Sequence, residues 1–110
     1  MNSHKNLNVD KWSKYSRGQQ ILMIANEINR AKNSLIKNHS EDALSCYERA
    51  LDLIDITLQD SKWKNKLKEL LRCREFIGIL YYKNELKLNT LLFDNLILLN
   101  SEAYNILHQK

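Results

Sequence analysis

Along most of the chain, apolar residues return every three or four positions, the spacing that lines them along one face of an α-helix. The first run predicts a helix over about 19–37, with Ile21, Ile24, Ala25, Ile28, Ala31 and Leu35 on one face and Asn26, Asn29, Lys32 and Asn33 largely on the other. At the break, Asn38 or Ser40 can cap the next helix, and Glu41 and Asp42 suit its positive end. That second helix, about 40–59, carries a stripe of Ala43, Tyr47, Ala50, Ile54 and Leu58, widened by Leu44 and Leu51, while Glu48, Arg49 and Asp52 look outward. Asp60 or Ser61 ends it and can cap a third helix over about 62–82. Trp63, Leu67, Leu70, Leu71, Ile77 and Tyr81 are its expected buried positions, with Cys73, Phe76 and Leu80 broadening the arc.

A fourth helix is predicted over about 88–109, where Leu92, Leu96, Leu99, Ala103 and Ile106 follow the 3.5-residue repeat of a bundle or coiled-coil seam. Leu91, Phe93, Ile97 and Leu98 add apolar surface around much of it, so it is either central or covered by a partner. Residues 1–18 read as a polar tail and lead-in turn in which Trp12 or Tyr15 can pack onto the rest, and 19–110 as one domain. Four helices with short links fit an up-down antiparallel bundle. Three helices plus a projecting fourth that dimerises is the alternative.

Composition sharpens this all-α expectation. Proline is absent and glycine occurs only as Gly18 and Gly78, too few for the many turns of a sandwich or barrel. With 44% hydrophobic and 27% charged residues, 110 residues can bury a core without disulfides or metals. Cys46 and Cys73 stand apart and read as buried free thiols. The first residues hold no apolar signal segment, and LLFDNLILL is too short and too interrupted to span a bilayer, so a cytoplasmic protein without membrane insertion is expected.

Catalytic chemistry finds no footing. None of His4, His39 and His108 follows an arginine at the four-to-six-residue spacing of small helical nucleases, Arg30 lying eight intervening residues before His39. No Glu-x-x-His pair exists for a di-iron site, no Cys or His cluster for zinc, and no glycine cluster for a phosphate loop. Neither an enzyme nor a cofactor is expected.

Residues 41–53, EDALSCYERALDL, resemble the second helix of a tetratricopeptide repeat, through Ala43, Tyr47 and Ala50 followed by Leu51 and Leu53. The likeness covers one hairpin, about residues 25–55. Glu27, Arg30 and Ser34 stand where that family shows Trp, Leu and Tyr, Asp55 replaces its closing proline, and no second repeat follows at about 34 residues. The layout is also similar to microtubule-interacting-and-trafficking modules and to small flagellar-type export chaperones. These resemblances imply a groove that binds peptides or helices and catalyses nothing.

Two functional expectations follow. The first is a protein-interaction module, adaptor-like or chaperone-like, meeting a protein or peptide partner or a second copy through Leu92, Leu96 and Leu99 with Tyr81, Tyr82 and Trp12. The alternative is a nucleic-acid-associated domain. There Lys64, Lys68 and Arg72, four residues apart on the third helix, contact phosphates, and Lys11, Lys14 and Arg17 lie beside Trp12 and Tyr15.

Overall fold

In a computed structural model of the protein, which describes residues 8–108, every regular element among them is helical. The order is α1 (Val9–Trp12), α2 (Arg17–Ile36), α3 (Ser40–Leu58), a 3-10 segment (Ser61–Lys66), α4 (Leu67–Lys83), α5 (Leu86–Leu98) and α6 (Ser101–Leu107). The all-α expectation is met, but with six α-helices rather than four.

Local side-chain chemistry sets most boundaries. Ser16 and Gln19 form a reciprocal capping box that opens α2, each side chain bonding the other's backbone N–H. Asn38 closes α2 instead of opening α3. It sits in the left-handed region at φ 63°, its N–H bonds the Leu35 carbonyl, and the His39 N–H bonds that of Ser34. His39 then precedes α3 with no side-chain cap. Asp60 caps the 3-10 segment through the Lys62 N–H, and Asn84, at φ 54°, closes α4.

Three sequence expectations are corrected. The lead-in is not only a turn but contains α1; Trp12, one of the two aromatics expected to pack onto the rest, does so fully buried, with its Nε1 donating to Thr57 Oγ1 at 2.8 Å. The third helix begins at Leu67, after the 3-10 segment, and its Leu67 and Leu71 are 40% and 48% exposed rather than buried. The fourth helix is two: Asn100 takes an extended conformation between α5 and α6, and its side chain accepts from the Ala103 N–H to start the second.

Consecutive long helices touch in a ring. α2 meets α3, α3 meets α4, α4 meets α5, and α5 returns to α2, while α6 folds onto α2 and α5. Ile21, Ile24, Ile28, Tyr47, Ile54, Leu70, Ile77, Leu80, Leu92 and Leu96 fill the interior with no exposed surface. Burying each such side chain contributes about 1.5–3 kcal/mol.

The core's polar side chains are tied into it, although Asn89 Oδ1 has no hydrogen-bond partner among the described residues. Gln20 donates to the Trp12 carbonyl and to Asp60 Oδ2, each at 2.9 Å, and accepts from Trp63 Nε1 at 2.6 Å. One glutamine thereby fastens α1 and the 3-10 segment to α2. Asn89 of α5 donates at 2.9 Å both to the Ile28 carbonyl of α2 and to the Tyr47 hydroxyl of α3. Glu27, nearly buried on α2, is held by Arg49 of α3 at 3.1 Å and by Arg30 at 3.3 Å, so Arg49 turns toward the helix interface rather than outward.

Candidate docking groove between α4 and α5

On α4, Glu69, Arg72, Cys73 and Phe76 fall at spacings of three, one and three, which is one helical face. On α5 and just beyond it, Leu92, Asn95 and Leu99 do the same. These two faces border a groove of about 320 Å³. Leu92 and Cys73 form a buried floor, Phe76 and Leu99 are half-buried, and Arg72 and Asn95 stand exposed on opposite rims. The apolar character runs past the edges. Leu91 and Leu98, on the Asn95 side of α5, are 51% and 69% exposed, and Ile79, one turn beyond Phe76, is 49% exposed.

A second recess of about 370 Å³ lies between α5 and α6, lined by Phe93, Asp94, Ile97, Leu98, Tyr104, Leu107 and His108. Leu98 lines this second recess, and its chain neighbour Leu99 lines the groove. A third, polar recess between α2 and α3 holds Arg30, Arg49 and Cys46, but both arginines already serve Glu27.

Each of two recesses contains one buried thiol, Cys73 in the α4–α5 groove and Cys46 between α2 and α3. Burial pushes the Cys73 thiol up to about 11. Burial also raises Cys46, outweighing the neighbouring Arg49, whose Nη2 donates to its sulfur at 3.1 Å. At neutral pH both are thiols, weak as nucleophiles and as ligands. Among the described residues, no group of three or more His, Cys, Asp or Glu side chains is placed to hold a metal ion. No helix of the described residues is long and apolar enough to cross a membrane.

The structure scatters the sequence-predicted partner residues. Trp12, Leu92 and Leu96 are fully buried, so none offers its side chain to a partner at the surface; Leu92 reaches the groove only as floor. Leu99 lines the groove's end. Tyr81 turns toward α3 and donates to Glu48 Oε2 at 3.1 Å, which raises its hydroxyl's pKa. Tyr82 is 88% exposed and meets Tyr81 edge-on, with ring centroids 5.9 Å apart.

Of the basic residues, Lys64 lies in the 3-10 segment and Lys68 and Arg72 on α4, all exposed, with Arg72 on the groove rim. Their neighbours Lys62 and Arg74 are engaged by Asp60 and Asp55. Trp12 and Trp63 are fully buried and unable to stack on bases. Phe76 and Asn95 were missed as site residues. Their helical spacing was visible, but nothing local in the sequence states that α4 and α5 would face each other.

No protein-family model, no curated protein and no solved structure matches this chain.

Proposed function

We propose that the protein is a non-enzymatic interaction module whose α4–α5 groove receives the apolar face of a helix from another protein in the cytoplasm. The observation that carries this reading is the continuity of the half-buried Phe76 and Leu99 with the exposed Ile79, Leu91 and Leu98. Together they offer apolar purchase on both sides of a floor already desolvated by Cys73 and Leu92. A bound helix would place anchors at i, i+3 or i+4, and i+7 into such a groove, leaving its polar face in water. No cofactor takes part, and chemistry on the partner is not required.

A second reading rests on Lys64, Lys68 and Arg72, which are exposed and outside the ion pairs formed among the described residues. They could hold nucleic-acid phosphates, in which case affinity would fall steeply with salt.

The deciding experiment places a photo-crosslinking amino acid at Asn95 and, separately, at Asn26 on the exposed face of α2, in the protein's native host. The docking reading expects a discrete protein adduct at position 95, none at 26, and loss of the first when Leu91 and Leu98 are both changed to Lys. Equal labelling at both sites, or an adduct indifferent to that double change, overturns it. Nucleic-acid adducts removed by salt would favour the second reading.

A further inference from the structure

The break between α5 and α6 is made by a single residue. Leu99 is still right-handed helical at φ −65°, ψ −26°, and only Asn100, at φ −141°, ψ 125°, leaves the helix before Ser101 resumes it. No proline or glycine enforces the departure. The apolar seam of Leu92, Leu96, Leu99, Ala103 and Ile106 runs through the break at the spacing of one unbroken helix.

α6 packs on α2 and α5 but buries only one side chain completely. Ala103 is buried, and Glu102 accepts from Gly18 N–H at 2.9 Å and from the Ser16 hydroxyl at 3.0 Å. Tyr104, Ile106 and Leu107, the large apolar residues of α6, remain 40–43% exposed. Seven residues are too few to form a stable helix alone, so a detached α6 would fray or continue α5.

We propose that α6 exchanges between two copies of this chain. Asn100 becomes helical, α5 and α6 merge into one helix over 86–107, and the Glu102 of each copy caps α2 of the other. Apart from the Asn100 cap, the contacts that α6 makes within one chain are then remade across the pair, with the two-fold closure that ends the assembly at a dimer. The merged helix regains the backbone hydrogen bonds lost at Asn100 and gives up that residue's cap, against the entropy of association, so the balance follows protein concentration. The inference stands whether or not the α4–α5 groove takes a partner, although Leu99, at the hinge, also lines that groove.

Three variants test it by light scattering over a wide concentration range. Ser101→Pro suits the observed break, because proline favours the first helical position and an extended residue before it, yet it is barred from the interior of a merged helix. Asn100→Ala removes the cap and favours the merged form. Wild type is expected to dimerise as concentration rises, Ser101→Pro to stay monomeric with an unchanged melting temperature, and Asn100→Ala to dimerise on the order of tenfold more tightly. In Ser16→Cys/Glu102→Cys protein oxidised at high concentration, the new disulfide should link two chains. Dimers in Ser101→Pro protein as abundant as in wild type, monomers only in Asn100→Ala protein, or disulfides formed solely within one chain would each overturn the exchange. A failed crosslink at Asn95 in monomeric Ser101→Pro protein would bear on the groove alone.

Discussion

Gly18 and Glu102 come from opposite ends of the sequence and touch: the glycine N–H donates to the carboxylate, and a β-carbon on Gly18 would lie 2.6 Å from the same side chain. The carboxylate sits at the positive end of α2, where negative charge is favoured, and it is the main polar tie between α6 and the rest. Gly18→Ala should push Glu102 aside and speed amide hydrogen exchange across 101–107 while leaving α3 and α4 protected. Glu102→Ala should do the same and cost about 1 kcal/mol, as loss of a helix cap does. Unchanged exchange in α6 for both variants would show that the apolar packing of α6, not this carboxylate, secures it.

Trp12 makes the strongest case that the lead-in belongs to the core. It is fully buried, its indole bonded to Thr57 and its carbonyl to Gln20. Trp12→Ala is expected to destabilise the fold by about 3–5 kcal/mol. Tyr82→Ala, which removes a ring 88% exposed, should stay within about 0.5 kcal/mol in the same denaturant titration.

Asp60 gives the fold an acid-sensitive clasp. Burial favours its neutral form, but hydrogen bonds from Gln20 and from the Lys62 amide and ammonium outweigh that and hold its pKa below the ordinary carboxylate value. A carboxyl whose folded pKa is depressed stabilises the protein above its unfolded pKa and loses that contribution as pH falls through the folded value. The melting temperature should therefore decline as pH drops through and below about 4, more steeply than in Asp60→Asn protein, which is destabilised at pH 7 yet flatter in acid. Parallel acid profiles for the two proteins would contradict this assignment.

Gly78 lies inside α4, and a β-carbon there would meet nothing within 4 Å. Among the described residues it therefore serves no close helix approach. Gly78→Ala should stabilise the protein by about 1 kcal/mol through helix propensity and a less flexible unfolded chain, raising the melting temperature by several degrees.

The helical faces could be read from the sequence because burial at three- and four-residue spacing leaves a local trace: Ile21 to Ala31, Ala43 to Ile54 and Leu70 to Leu80 all reach the interior. The Ser16–Gln19 capping box that opens α2 at Arg17 is equally local, yet the apolar spacing alone placed that start at about 19. What stayed hidden depends on contacts between distant segments. The seam from Leu92 to Ile106 is periodic through Asn100, so the pattern alone favours one helix. The break follows from an asparagine cap and from Glu102 finding the start of α2, and neither alters periodicity. The sequence left open whether Trp12 or Tyr15 packs inward, and Thr57 and Gln20, distant in the chain or beyond the turn, decide for Trp12. The α4–α5 groove likewise needs both helices in place before Phe76 and Asn95 share an opening.

Asn89 carries a consequence for how uniquely the helices are aligned. Leucine seams accept small slides along their length, since one methyl contact replaces another at little cost. A single amide that must reach both the Ile28 carbonyl and the Tyr47 hydroxyl tolerates only one axial offset of α2, α3 and α5. It works as a positional key in an otherwise greasy interior, trading some stability for one alignment among several of similar packing energy.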